Sequence, residues 1–264
     1  MRIGVMLPTF TGDPSPVAEA ARVAEGGGLD GTFVFDHLWP IGNPGRPALW
    51  SFGVLGAVAA TTSRVVIGPL VARIDLLPED DLVRGFLTLE AITGGGRVIA
   101  ALGTGDRLSA PENIAYGVGQ APVLERLAAV ARVADRLRGR GIETWIGGTS
   151  RVTAGLAREH ADGHNLWAVT AEDLARRAAE DGHVPKKSWG GQVLIGRDRS
   201  ELVALRARYG DRGGLISGTV EGVADRLRAL AAAGATWAVC APLDYIAQPA
   251  RAVETLCLVA EAVK

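Results

Sequence analysis

The chain has few groups of several kinds, and each scarcity narrows what it can be. It has only two cysteines in 264 residues, Cys240 and Cys257, each in an apolar run. A disulfide framework needs more cysteines in a shorter chain, so both read as buried, reduced thiols. It has three lysines, Lys186, Lys187 and Lys264, so arginine supplies most of its positive charge. With a net charge of −1, no basic tail and no acidic run, nothing electrostatic favours nucleic acid. No apolar run approaches the roughly 18 residues of a membrane span. The opening Ile3-Gly4-Val5-Met6-Leu7 runs straight into Pro8, whereas a secretory leader would need a basic start, a longer apolar stretch and a cleavage site. A soluble, cytoplasmic protein is the expectation, and no domain linker, solenoid-length repeat or low-complexity segment interrupts it.

Hydrophobic residues are plentiful, at 48%. Short β-branched runs alternate with alanine- and arginine-rich stretches of helical period. That alternation predicts a parallel sheet covered by helices. Strands are predicted near Ile3–Leu7, Thr32–Phe35, Val65–Val71, Val98–Leu102, Thr144–Ile146, His164–Ala168, Gly191–Ile195 and Thr236–Ala241, with helices between them. Eight strands and at least eight helices over residues 1–264 predict a single (β/α)8 TIM barrel with parallel strands, a fold of roughly 250 residues.

In such a barrel the chemistry lies at the carboxyl ends of the strands. Three strand ends carry suitable residues. Phe33-Val34-Phe35 ends on Asp36-His37, an acid beside an imidazole that can hold or move a proton near neutral pH; a structural acid capping the next turn is the plain alternative. Gly103-Thr104-Gly105-Asp106 leaves the fourth strand with little side chain where a flat ring would pass, although a simple turn would look the same. Trp145-Ile146-Gly147-Gly148-Thr149-Ser150 opens onto a helix start, where free backbone N–H groups make a phosphate cradle. It lacks the lysine of a P-loop, which argues against a nucleoside triphosphatase.

His160-Ala161-Asp162-Gly163-His164 has ligand-like spacing, but Gly163 ends the helix between the histidines, so no metal site is expected. The chain has six tryptophans. Trp39, Trp167 and Trp189 lie near strand ends where they would wall a pocket, Trp39 and Trp167 against a substrate. Trp50, Trp145 and Trp237 read as core.

These motifs, taken in order, resemble the luciferase-like flavin and deazaflavin oxidoreductases. The resemblance rests on Gly28-Leu29-Asp30 before Phe33-Val34-Phe35-Asp36-His37, and on Thr61-Thr62-Ser63-Arg64-Val65-Val66-Ile67-Gly68. It continues through Gly95-Gly96-Arg97, Leu102-Gly103-Thr104-Gly105, Ile146-Gly147-Gly148, Ala161-Asp162-Gly163 and Ser217-Gly218-Thr219. It implies a barrel binding coenzyme F-420, or alternatively FMN, across its strand ends. By the same resemblance His37 lies beside the reactive ring, and Asp106 stands where the family usually has a longer Glu. A non-proline cis peptide is implied at Leu70–Val71 behind the ring, with the cofactor phosphate on Gly147, Gly148 and Thr149. Asp36, Gly103, Thr104 and Gly105 complete the expected cofactor contacts.

The implied activity is F-420-dependent hydride transfer to or from a small-molecule substrate. An FMN-dependent monooxygenase and a non-catalytic flavin-binding barrel are the alternatives. Alanine- and leucine-rich helix faces suggest a homodimer, and a separate flavin or F-420 reductase is a conceivable partner. The family's insertion between Arg126 and Ile146 is short here, implying a reduced lid. With so few lysines the chain is a poor candidate for gripping a sugar phosphate.

Overall fold

The computed structural model describes residues 1–105, 107–180, 186–210 and 212–264. Its elements run β1 (Arg2–Met6), α1 (Ser15–Gly26), β2 (Gly31–Val34), α2 (Ser51–Thr61), β3 (Val66–Pro69), β4 (Ala72–Arg73) and α3 (Glu79–Thr93). They continue with β5 (Ile99–Gly103), α4 (Ala110–Ala115), α5 (Val123–Arg138), β6 (Glu143–Gly147), α6 (Arg151–His160), β7 (Gly163–Trp167) and α7 (Ala171–Glu180). The rest is β8 (Lys186–Gly196), α8 (Arg199–Tyr209), β9 (Ile216–Thr219), α9 (Val220–Ala232), β10 (Trp237–Pro242) and α10 (Pro249–Val263).

Every strand pairing is parallel, in the order β3-β2-β1-β10-β8-β7-β6-β5-β4. β3 and β4 are one barrel strand interrupted at Leu70–Val71, which is a cis peptide bond, as the family resemblance implied. The Ile67–Val98 bridge completes the ring beside that interruption. The result is an eight-stranded (β/α) barrel. β9 is additional: it pairs with the carboxyl half of the eleven-residue β8, beyond the end of β7. Ile216-Ser217-Gly218-Thr219 has no β-branched run, which hid this strand from the pattern. Helix punctuation follows the sequence, with Thr219, Ser150 and Asp198 side chains accepting from the first turns of α9, α6 and α8.

Alternation along the strands sorts side chains into two layers. Ile3, Val5, Val34, Ala100, Leu102, Ala238 and Cys240 face the helices. Met6, Phe33, Ile99, Trp145, Trp237 and Val239 fill the barrel. Phe33, Trp145 and Trp237 pack within 5.7–6.0 Å of one another, centroid to centroid, and form its floor. Gly4 and Gly163 make room for them: a Cβ on Gly4 would lie 2.8 Å from the Phe33 ring, and one on Gly163 2.6 Å from Trp145.

The tryptophan expectations need two corrections. Trp50 is 60% exposed; it is the residue before α2 begins, so its side chain lies outside the helix–barrel interface. Trp189 is buried in the outer layer and donates to the Val169 carbonyl instead of walling a pocket. Strand parity explains this, because the neighbouring Gly190 takes the inward position against Trp167 and Leu70.

Candidate active site

A cavity of about 850 Å³ opens at the carboxyl ends of the strands. Of the residues expected to serve a cofactor or substrate, Asp36, His37, Leu70, Val71, Gly103, Thr104, Gly105, Gly147, Gly148 and Trp167 all line it. Asp106 lies outside the described residues. Trp39 is not on the cavity wall; it packs on Tyr116, 5.7 Å between centroids. The chain beyond His37 is drawn toward α4 by a Leu38 N–H bond to Glu112, and this carries Trp39 past the rim. Thr149 is also off the wall, its carbonyl accepting from Arg177.

The Asp36–His37 pair is built into a buried polar network. Glu112 Oε1 sits 2.8 Å from His37 Nδ1, while Oε2 accepts from the Leu38 N–H at 2.8 Å and Arg73 Nη2 at 2.9 Å. Arg73 reaches back through Nε to the Asp36 carbonyl at 2.9 Å, and its backbone N–H donates to Asp36 Oδ2 at 2.9 Å. Ser51 donates to Asp36 Oδ1 at 2.7 Å, and Asn113 Oδ1 accepts from Arg73 Nη1 at 3.2 Å.

Asp36 therefore holds the scaffold: both of its oxygens are engaged by protein, which leaves it little to offer a cofactor edge. Burial raises its pKa, against the opposing pull of Ser51 and Arg73. Burial would raise Glu112 too, but bonds from His37 and Leu38 and the charges of His37 and Arg73 outweigh it, leaving that carboxyl below the usual range. An ionised Glu112 accepts the Nδ1–H of His37. That leaves Nε2 of the ring, which bonds to no described residue.

Sequence reasoning missed Glu112, Arg73, Asn113 and Ser51. The signal for α4 was present: Ser109-Ala110-Pro111-Glu112 has the S-x-x-E spacing of a helix start with proline in the first turn. Here the glutamate leaves the cap and turns to the imidazole. Arg73 stood between the apolar Ala72 and Ile74 at a strand end, a buried charge in need of a partner.

The glycines of β5 and β6 have a use the sequence did not suggest. The Val71 side chain, just after the cis bond, fills the space in front of both. A Cβ on Gly103 would lie 2.4 Å from Val71 Cγ2, and one on Gly147 2.7 Å from Cγ1. Gly148 has φ +136°, a conformation that L side chains rarely adopt, and a Cβ there would strike Thr153. Its N–H bonds the Asn165 carbonyl and its carbonyl accepts from His164 Nε2 at 2.7 Å. The cradle is thus fixed ahead of the N-terminus of α6. Opposite stands an aromatic wall, with Phe10 stacked on Phe35 at 5.4 Å and Trp167 edge-on to Phe35 at 5.7 Å. His160 and His164 serve different partners, Asp135 and the Gly148 carbonyl. Among the described residues no cluster of three potential metal ligands forms.

No family model matches the chain. It is 32% identical over 141 residues to the F420-dependent glucose-6-phosphate dehydrogenase of Nakamurella multipartita, a match covering 53% of this chain and 39% of that protein. The chain thus matches about two fifths of that relative's length. Over its whole length it superposes on an F420-dependent secondary alcohol dehydrogenase in complex with an F420-acetone adduct, with TM-score 0.80, 17% identity and 99% of that chain covered. It also superposes on the oxygenating constituent of 3,6-diketocamphane monooxygenase from Pseudomonas putida, in complex with FMN, with TM-score 0.72, 14% identity and 98% of that chain covered. The chain therefore shares the barrel fold of these two structures, and over about half of its length it is similar in sequence to an F420-dependent glucose-6-phosphate dehydrogenase.

Proposed function

We propose that the protein is an oxidoreductase that uses coenzyme F-420 for hydride transfer to or from a small organic substrate. The observation that carries this reading is the Glu112–His37 pair, which fixes an imidazole on the wall of a cavity large enough for a tricyclic ring and a small partner. The residues present fit such a group. The helix start after Gly148 offers backbone N–H groups to a phosphate, and the Val71 shoulder with its glycine surround offers a flat apolar seat. The relative named above that carries an F420-acetone adduct makes a small carbonyl–alcohol couple a reasonable model reaction.

When bound, the deazaflavin supplies the hydride acceptor or donor. The chain supplies orientation and proton handling. His37 Nε2 accepts the hydroxyl proton of an alcohol as its carbon loses hydride, and returns it in the reverse direction. Glu112 holds the ring in the competent tautomer and stabilises the imidazolium. Arg73 and Leu38 keep Glu112 ionised. Phe10, Phe35 and Trp167 exclude water from the face where the substrate sits.

The test is a fluorescence titration of the protein with F-420 and with FMN, followed by turnover of a small secondary alcohol. F-420 binding in the micromolar range without comparable FMN binding supports the reading. Tight FMN binding with oxygen-dependent turnover would favour the monooxygenase alternative, which the FMN-bound barrel named above keeps in view. That alternative would call for a separate reductase to deliver reduced flavin. Binding of either cofactor with a His37→Ala variant as active as wild type would leave a carrier without catalysis. We further propose a homodimer, checked by light scattering.

A further inference from the structure

The cavity holds a second chemical feature on the side away from the glycine cradle. In the strand ring, β1 and β10 lie opposite β5 and β6. Among the polar residues lining that side are Arg46 and Tyr245, with Gln192, Arg208 and Arg212 also on the cavity wall. Arg46 is half-buried, and its Nε donates to the Phe10 carbonyl at 3.0 Å, which fixes the planar group and leaves the two terminal nitrogens for something else. No acidic side chain pairs with it among the described residues. Tyr245 is 6% exposed, and its hydroxyl bonds no described residue. Burial raises its pKa against the pull of the Arg46 charge, so it stays a donor at neutral pH. Asp36 is the sole acid among the described residues of the cavity wall, and Ser51 and Arg73 already engage its oxygens.

We propose that Arg46 and Tyr245 form an anion subsite that takes the carboxylate of an organic-acid substrate, the rest of which lies along Phe10, Phe35 and Trp167. The proposal deepens the oxidoreductase reading and rests on it for the word substrate. Two terminal guanidinium N–H groups and one phenolic O–H match a carboxylate's two oxygens and single charge. A phosphate dianion has a third oxygen and a second charge, and Arg46 is the one cation among the described residues that line both the main cavity and the recess beside it. Arg46 and Tyr245 also line a recess of about 250 Å³ beside the main cavity, so the head group has room at the junction of the two. The chemistry separates this chain from a relative named for glucose 6-phosphate, and agrees with the scarcity of lysine.

Benzoate, benzamide and inorganic phosphate are titrated into the cofactor-free protein by calorimetry, with wild type, Arg46→Gln, Arg46→Lys and Tyr245→Phe compared and folding checked by circular dichroism. F-420 affinity is measured on each in parallel. The expected result is benzoate binding at least about ten-fold tighter than benzamide, a charge-assisted difference worth about 1.4 kcal/mol. Arg46→Gln should erase that preference, Arg46→Lys should keep part of it, and Tyr245→Phe should weaken benzoate several-fold, all with F-420 affinity unchanged. Equal binding of benzoate and benzamide, phosphate binding tighter than benzoate, or loss of F-420 affinity in place of benzoate affinity in Arg46→Gln would overturn the proposal. If wild type fails to bind F-420 yet shows the Arg46-dependent benzoate preference, the cofactor reading fails and the carboxylate subsite stands.

Discussion

Glu112 and His37 are 75 residues apart in sequence and 2.8 Å apart in space, with the carboxylate fully buried and the imidazole at the cavity edge. Glu112 receives three donors, His37 Nδ1–H, Leu38 N–H and Arg73 Nη2. An amide in its place cannot receive all three. In Glu112→Gln the oxygen would stay with Arg73 and Leu38, and the NH2 would face His37, moving the ring proton to Nε2. Nitrogen NMR should report that tautomer change, and proton acceptance at Nε2 should be lost. Removing the charge opposite a buried arginine should also cost about 3 kcal/mol of stability, read by urea unfolding.

The same pair sets a pH dependence. The folded-state pKa of Glu112 lies below its unfolded value near 4.5. Its contribution to stability is therefore complete above that value and drains as pH falls through the lower folded one. Asp36 has a raised pKa and acts in the opposite sense, its burial cost easing on acidification. Urea midpoints from about pH 6 downward should fall more steeply for wild type than for Glu112→Gln. An equal slope in the two would remove Glu112 from the acid transition.

His37→Ala should leave F-420 affinity within a few-fold of wild type and lower turnover by about 10²–10⁴, the usual range for a lost proton-transfer group. Stopped-flow absorbance of the cofactor measures the rate, and fluorescence quenching measures the binding.

Val71 and its glycines should couple. Gly147→Ala places a methyl where Val71 Cγ1 already sits and should cost about 1–3 kcal/mol. Val71→Ala alone makes a small hole. The double variant should recover much of the loss, and the non-additivity in a double-mutant cycle checks the wedge. Strict additivity would mean that the two side chains do not compete for one space.

The thiols give a simple check of the layers. Burial holds Cys240 up to about 12 and, with help from Glu261 and Glu254, Cys257 up to about 11. Neither should react with a disulfide reagent in native buffer at neutral pH, and both should react in denaturant.

Much of this molecule was legible in its sequence, because period and punctuation report burial directly. The eight barrel strands, the long helices between them and the cavity positions of His37, Gly103 and Gly148 follow from where apolar runs stop. The missing pieces share a cause. α4 has six residues, too few for a helical period, and β9 has four with two small polar members. Glu112 became a site residue through a contact across 75 residues, which no local pattern encodes. Trp189 was misplaced because position near a strand end does not give parity, which decides the layer a ring enters, and Trp50 because it stands just before α2, outside the helix–barrel interface.

The anchor of the imidazole arrives on α4, an excursion from β5, while the imidazole itself ends β2. A strand-end histidine is therefore only half of the working unit, and its ring is oriented by a neighbouring excursion free to vary in length without disturbing the barrel. Barrels that share the acid–imidazole doublet but rewrite that excursion would keep the ring and lose its polarisation, so drift in the α4 segment is a route by which one scaffold acquires or sheds proton chemistry.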